Sequence, residues 1–170
     1  MSSKSKMARV SALAIAAAVA SPAYAQTDTT NFKVLIEITE SCNISEITAT
    51  DVDFGTYFRN ETTDADAEGT LNVNCTQDTA YDIGLDAGLS PVSTTAGAAN
   101  RQMASGANLV PYGLYRDPAR TLFWGNVIGT DTLAGVGTGT TEQIPVYGRT
   151  PSTDYPPGNY EDTITATITY

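Results

Sequence analysis

The chain carries the alternating sequence Phe32-Lys33-Val34-Leu35-Ile36-Glu37-Ile38 shortly before its first cysteine, Cys42. Side chains alternate faces along a strand, so the apolar residues at the even positions would share one side. These are Phe32, Val34, Ile36 and Ile38. Such a strand can pair within its own domain or insert into a second molecule, and the pattern alone leaves both possibilities open. The outcome decides whether the domain completes its own sheet.

Residues 1–25 have the three parts of a secretion signal. They begin with basic residues, continue with a short apolar run over residues 10–20, and end on the small-x-small site Ala23-Tyr24-Ala25. The apolar run is shorter than the roughly 20 residues that a membrane span requires. We therefore predict a signal peptide over residues 1–25, an exported mature chain that begins at Gln26, and no membrane span.

The charge of the chain argues against nucleic acid as a partner. The full sequence has nine basic and 19 acidic residues, and removal of residues 1–25 would leave six basic ones. A surface with this excess of carboxylates is repelled by phosphate backbones. The same charge favours solubility outside the cell.

The commonest catalytic residue and the common site motifs are missing. No histidine occurs, which excludes His-dependent triads and the commonest general base. The acidic pairs Asp51/Asp53 and Asp64/Asp66 lack the pattern of a calcium loop. The glycine-rich stretch 129–139 lacks the Gly-Lys-Ser/Thr of a phosphate loop. We therefore predict no enzyme activity, no catalytic residue, no metal site and no cofactor.

Cys42 and Cys75 are the only two cysteines. In an oxidising compartment the default for such a pair is a disulfide. Reactive thiols would need an activating base, and zinc ligands would show Cys-x-x-Cys spacing, which is absent. We therefore predict a Cys42–Cys75 disulfide.

Period-two alternation dominates the mature chain, and no long stretch has helical spacing. Alternating segments lie at residues 52–58, 70–75, 81–85, 144–148 and 160–170. Short strands, regular turns and one disulfide in a chain of this length are typical of a β-sandwich with Greek-key connections.

The connections between these segments carry turn residues. We predict a hairpin in which residues 101–105 and 109–115 flank Gly106-Ala107-Asn108. The acidic stretch 64–69 predicts a turn, and the Gly/Thr-rich stretch 129–141 predicts a loop. Pro145 places its strand at an edge or a bulge.

Residues 160–170 give the strongest strand pattern. One side would carry Tyr160, Ile164, Ala166, Ile168 and Tyr170. Glu161 and four threonines would face the other way. The sequence contains no further strand after this one, so if it lies inside a sheet, one neighbouring position is left for another strand.

Five aromatic residues allow two interpretations. They could line a sugar site, although such residues more often pack between the sheets of a sandwich. They are Tyr112, Tyr115, Phe123, Trp124 and Tyr147.

Short motifs follow one another in order along the mature chain. They are Ser41-Cys42, Asp53-Phe54-Gly55, Leu71 to Thr76, Tyr81 to Gly88, Arg101-Gln102-Met103, Leu114 to Asp117, Trp124-Gly125, Pro145 to Arg149 and Gly158 to Thr163. Each motif is weak alone. Together they resemble the spore coat protein U domain family, the pilin domain of archaic chaperone–usher pili.

The resemblance implies an all-β fold, an incomplete immunoglobulin-like Greek-key β-sandwich that lacks its last strand and is completed by a donor strand. In such pilins a periplasmic chaperone first lends a strand. At an outer-membrane usher, the N-terminal segment of the next subunit replaces it. The implied partners are this chaperone, this usher, further copies of the chain and other pilin subunits.

The resemblance also favours insertion of the apolar segment into a neighbour. We expect a signal peptide over residues 1–25, a donor-strand segment over 26–38 with the four inserted side chains named above, and the sandwich domain over 39–170. The protein would be secreted, pass through the periplasm, and reside at the cell surface or in a pilus.

Three functions are weighed on this basis. The first is a pilus subunit that polymerises by donor-strand complementation and serves attachment and biofilm formation. The second is a minor adhesin or binding module that contacts sugars or apolar surfaces through exposed aromatics. The third is a coat protein assembled on spores or cells.

Overall fold

The computed structural model describes residues 26–43, 49–59, 63–92 and 101–170, so the predicted signal peptide lies outside the described residues. The chain divides into two units, Met1–Glu37 and Ile38–Tyr170. The second unit contains every strand described below. The strands are β1 (Cys42–Asn43), β2 (Ala65–Cys75), β3 (Ala80–Leu85), β4 (Arg101–Ser105), β5 (Asn108–Tyr115), β6 (Leu133–Val136), β7 (Thr141–Thr150) and β8 (Ala166–Thr169).

The strands form two antiparallel sheets. The larger sheet has the order β1-β2-β7-β5-β4, and the smaller sheet has the order β6-β3-β8. Strands that are neighbours in space are mostly not neighbours in sequence, as in Greek-key sandwiches. The described residues contain no helix. The predicted all-β sandwich is confirmed.

The core lies between the two sheets. β2 contributes Val73 and Cys75, β3 contributes Ile83 and Leu85, and these pack with the fully buried Trp124. The indole Nε1 of Trp124 donates a hydrogen bond to the Ile83 carbonyl at 2.8 Å, so this polar group is satisfied inside the core. The alternation in β2 and β3 is therefore the one predicted.

The acidic stretch 64–69 is not the turn that we predicted, because it forms the first half of β2. Its small residues Ala65, Ala67 and Gly69 are buried, whereas its carboxylates are exposed. Arg149, directly opposite Asp66 on β7, donates two hydrogen bonds to its carboxylate at 2.7 and 2.8 Å. This contact lowers the pKa of Asp66. Acidic residues in a run favour a solvated turn. Here the cross-strand ion pair with Arg149 compensates the charge of Asp66, so the run can form a strand.

Three further predictions, for a hairpin, a loop and a proline, can be compared with the structure. β4 and β5 form the expected hairpin, which closes at Ser105 and Asn108. The stretch 129–141, predicted as a loop, contains β6, because Leu133 packs against the core opposite Ile83. Pro145 lies in the part of β7 that pairs with β2 alone, so it occupies a local edge as predicted.

Candidate functional site

The strand β8 has one open edge. It pairs with β3, and among the described strands none pairs with its other side. Its side chains alternate as predicted, since the threonines are exposed and the apolar residues Ile164, Ala166 and Ile168 pack against the core but remain half-buried. The exception is Tyr170, which we expected on the apolar side and which is 60% exposed.

A second segment, residues 50–54, lies across the core-facing side of β2 and β7. Val52 and Phe54 pack against the core, and they come so close to Gly148 that a Cβ there would meet Val52 Cγ1 at 2.5 Å and Phe54 Cζ at 3.1 Å. A Cβ on Gly69 would likewise meet Val52, at 2.8 Å from its Cγ2. These two glycines thus provide the room for the segment.

The predicted strand over residues 52–58 is wrong. The structure gives this region one isolated bridge, between Thr50 and Thr70. The segment covers the face of the larger sheet, so most of its backbone has no neighbouring strand with which to pair. Its apolar alternation serves packing on that face.

Tyr112 on β5 contacts both of these segments. Its ring meets the Phe54 ring edge-on, with centroids 6.5 Å apart. Its hydroxyl donates a hydrogen bond to Asp162, which lies just ahead of β8. The segment 50–54 and the terminal segment therefore lie over the same part of the larger sheet.

A cleft of about 530 Å³ is lined by residues 54–59, by residues 150–160 and by the β4–β5 hairpin. Met103 and Val110, on the β4–β5 hairpin, line it together with Phe54. Most of the further lining residues are aromatic, proline, glycine or small polar residues. These include Tyr57, Phe58, Tyr155, Pro156, Pro157 and Tyr160.

Polar contacts hold the rim of the cleft in place. Arg59 and Asp154 form an exposed ion pair at 3.2 Å. The Tyr160 hydroxyl donates to the Pro156 carbonyl at 2.7 Å. We call the open edge of β8, together with the half-buried side chains of Ile164, Ala166 and Ile168, the groove. An open strand edge beside half-buried apolar side chains can take up an extended apolar strand, whose backbone would pair with β8.

The predicted donor-strand residues lie outside any strand of the structure. Phe32, Val34, Ile36 and Ile38 are 83–86% exposed, and so is Leu35 between them, at 83%. Their assignment as donor residues stays a prediction. Neighbouring apolar side chains that are this exposed are uncommon on soluble proteins and are typical of interaction sites.

Cys42 and Cys75 form the predicted disulfide. It joins β1 to the end of β2, where the two cysteines face each other in register. Next to it, the Thr76 amide donates to the Ser41 carbonyl at 2.9 Å. The disulfide thus links Cys42, which follows the apolar segment in the chain, to β2 of the sandwich.

Cys42→Ser is expected to destabilise the domain by roughly 3–4 kcal/mol, because the bond closes a loop between residues 33 positions apart. The yield of soluble chain from the periplasm should fall, and the denaturant midpoint should decrease. Ser41→Ala is the matched control and should change neither. Unaltered yield and midpoint in Cys42→Ser would contradict a stabilising disulfide.

The structure gives little support to an aromatic binding patch. Trp124 is fully buried and Tyr112 is 5% exposed. Tyr115, Phe123 and Tyr147 are half-buried. Tyr112 and Trp124 belong to the core, and the rings of Tyr115 and Phe123 pack edge-on against each other. The aromatic side chains that line a cavity are others, in the segments 54–59 and 155–160.

Sequence reasoning missed a buried arginine. Arg101 is fully buried and donates hydrogen bonds to the carbonyls of Asp86, Leu85 and Trp124 at 2.8–2.9 Å. Its guanidinium also lies over the Phe123 ring, 5.2 Å from the centroid. Burial lowers the pKa of Arg101, although a guanidinium remains charged at neutral pH. A basic residue inside a β-sandwich has no signature in local sequence.

The described part of the chain offers no cluster of three or more acidic, cysteine or histidine side chains that could hold a metal ion. Over the same residues, no helix reaches the length and hydropathy of a membrane span.

Comparisons with known proteins agree with this geometry. The profile of the Spore Coat Protein U domain matches residues 28–167. "Protein U" of Myxococcus xanthus is 37% identical over 177 aligned positions, which cover 98% of both chains.

A solved structure with a similar fold is the CsuC–CsuE chaperone–tip adhesion subunit pre-assembly complex from the archaic chaperone–usher Csu pili of Acinetobacter baumannii. The similarity to one chain of that complex has a TM-score of 0.56 at 21% identity. It covers 78% of this chain but only 40% of the other, so this chain spans less than half of that protein's length.

Proposed function

Because this chain belongs to the Spore Coat Protein U domain family, we propose that it is a structural subunit of a secreted chaperone–usher pilus. Subunits would polymerise when residues 26–38 of one copy enter the groove of the next. The role is structural and not catalytic. The fibre would serve surface attachment and biofilm formation.

One observation carries the proposal. The edge of β8 is open beside half-buried Ile164, Ala166 and Ile168, while five apolar side chains over residues 32–38 are exposed in the same chain. An incomplete sandwich and an unpaired apolar segment are complementary. Insertion would pair the strand edge and bury both apolar surfaces.

The energy available from insertion is large. Four apolar side chains contribute about 1.5–3 kcal/mol each when fully buried, or about 6–12 kcal/mol before the cost of ordering the segment. This is comparable to the stability of a whole domain. Joined subunits should therefore separate very slowly.

The same chemistry defines the partners. An empty groove exposes an apolar surface and unpaired backbone groups, which invites aggregation, so the subunit needs a temporary strand during export. A periplasmic chaperone would supply it, and an outer-membrane usher would exchange it for the segment of the next copy or of another pilin. The similarity to a subunit–chaperone complex supports this order of events.

The direct test is a denaturing gel of material sheared from the cell surface, loaded with and without boiling and probed for this chain. We expect a ladder with one-subunit steps in the unboiled lane and a single band after boiling. A monomer band in both lanes would mean that the domain completes its own sheet, and it would contradict the proposal.

A coat protein on spores or cells is the second candidate. It is favoured by the description of the matching family, the Spore Coat Protein U domain. Electron microscopy of the same sheared material separates the two candidates. Thin fibres support a pilus, whereas sheets or amorphous layers support a coat.

Ile36→Asp is expected to reduce assembly by at least tenfold, because it would place a charge in an apolar groove. The measurement is the fraction of chain in the unboiled ladder. Leu35→Asp is the matched control, since it adds the same charge at the next position, on the opposite side of an inserted strand. It should reduce assembly much less. Equal ladders from both variants would contradict insertion of Ile36.

A further inference from the structure

The terminal segment changes sheets at Asp162. Just before it, Glu161 pairs with Ala104 at the outer edge of β4 through two backbone hydrogen bonds of 2.8 and 3.1 Å. Four residues after it, β8 begins to pair with β3 in the other sheet. The position of Asp162 therefore sets where the open strand edge starts.

The Asp162 carboxylate joins three parts of the chain. Its Oδ2 accepts a hydrogen bond from the Tyr112 hydroxyl at 2.6 Å. Its Oδ1 accepts from the amides of Leu89 at 2.8 Å and Thr163 at 2.9 Å. Burial, and then the bond to Asp162, raises the pKa of Tyr112, so the phenol stays a donor.

The loop after β3 is shaped around this carboxylate. Gly88 has a φ of +81°, and a Cβ built on it would meet the Asp162 Cγ at 2.7 Å. Glycine is needed there both for the backbone conformation and for the space. Any other residue would displace the carboxylate.

A second carboxylate holds the same segment. Asp86 Oδ1 accepts from the Thr165 amide at 3.0 Å, and the Asp86 amide donates to the Thr165 carbonyl at 3.0 Å. The Asp86 carbonyl in turn accepts from the buried Arg101. The segment between Asp162 and β8 is thus fixed to the interior at both of its ends.

We infer that Tyr112, Asp162 and Asp86 are positioning residues, which we call the Asp162 anchor, and that they hold the edge of β8 in register while the groove is empty. The inference rests on the proposed function. β8 has four residues and one neighbour, and such a short edge strand opens locally at low cost. Apparent affinity falls with the fraction of molecules that are competent to bind, so the anchor keeps that fraction high for an incoming second copy.

The test uses the mature chain, residues 26–170, and an excess of a fluorescent peptide of residues 26–41. Tyr112→Phe removes one hydroxyl and keeps the buried ring. The apparent Kd should rise about tenfold through a slower association rate, with the dissociation rate unchanged. Hydrogen exchange of the Thr167 and Thr169 amides should quicken, while that of β2 and β7 should stay as in the wild type.

Two further variants sharpen the test. Asp162→Asn keeps the size of the side chain but turns one acceptor into a donor, and it should slow association in the same way. Tyr147→Phe, which removes the hydroxyl of a half-buried tyrosine on β7, is the matched control and should leave both rates unchanged.

The outcomes separate the inference from the function. If the wild-type chain captures the peptide and Tyr112→Phe associates at the wild-type rate, the positioning role is overturned. A faster dissociation with unchanged association also overturns it, because Tyr112 would then contact the bound strand. If the wild-type chain captures no peptide, the proposed function fails and the inference fails with it.

Discussion

Removal of residues 26–38 is expected to abolish the unboiled ladder while leaving a domain that still captures an added strand. The deletion takes away every exposed apolar side chain of the N-terminal segment and leaves the Cys42–Cys75 disulfide and both sheets in place. The measurement is the gel described above, together with capture of a labelled peptide of residues 26–41 by the shortened chain.

A shorter deletion provides the matched control. Residues 26–31 are polar and precede the apolar alternation that begins at Phe32. Their removal alone should leave the ladder intact, because the four apolar side chains remain. Polymers of normal length from the chain without residues 26–38 would contradict the donor assignment and would place the interacting segment elsewhere.

Arg101→Met is expected to destabilise the domain by about 3–9 kcal/mol. The substitution leaves three carbonyls in or near the core without the donors that they now have, and an unsatisfied buried acceptor costs about 1–3 kcal/mol. This is a large part of the 5–15 kcal/mol of a typical domain. Periplasmic yield and the denaturant midpoint are the measurements, and both should fall sharply.

Arg59→Met is the matched control, because it removes the same positive charge without leaving buried carbonyls unpaired. Arg59 pairs with Asp154 at the rim of the cleft, where both side chains are about half-exposed. Exposed ion pairs contribute about 0–1 kcal/mol, so this variant should unfold near the wild-type midpoint. Equal midpoints for the Arg59 and Arg101 variants would mean that the carbonyls of Asp86, Leu85 and Trp124 find other donors.

Much of the sandwich was predictable from local alternation. In β3, Tyr81, Ile83 and Leu85 are buried as the period of two predicts. In β8 the same period correctly predicts that the threonines are exposed and that the apolar residues face the core. The hairpin at Gly106 was predictable because its turn residues have strong conformational preferences. The disulfide followed from the cysteine count and the expected compartment.

The predictions failed where the local sequence pattern does not reveal whether a segment pairs with a neighbouring strand. Val52 and Phe54 alternate like strand residues, yet they pack on the face of a sheet. The acidic run around Asp66 looks like a turn, yet Arg149, more than 80 residues later, makes it a strand. In both cases the deciding partner is distant in sequence, so no local window contains it.

Local residue order thus determined the strand class, the alternation of the terminal strand and the apolar segment at Phe32, because side-chain direction in a strand depends only on position along it. Tertiary structure decided that β8 has an open edge, that a cleft opens beside the β4–β5 hairpin, and that Arg101 and Asp162 fix the segment between the sheets. These features depend on which strands become neighbours, and that choice is made by contacts between distant parts of the chain and not by the pattern within any one of them.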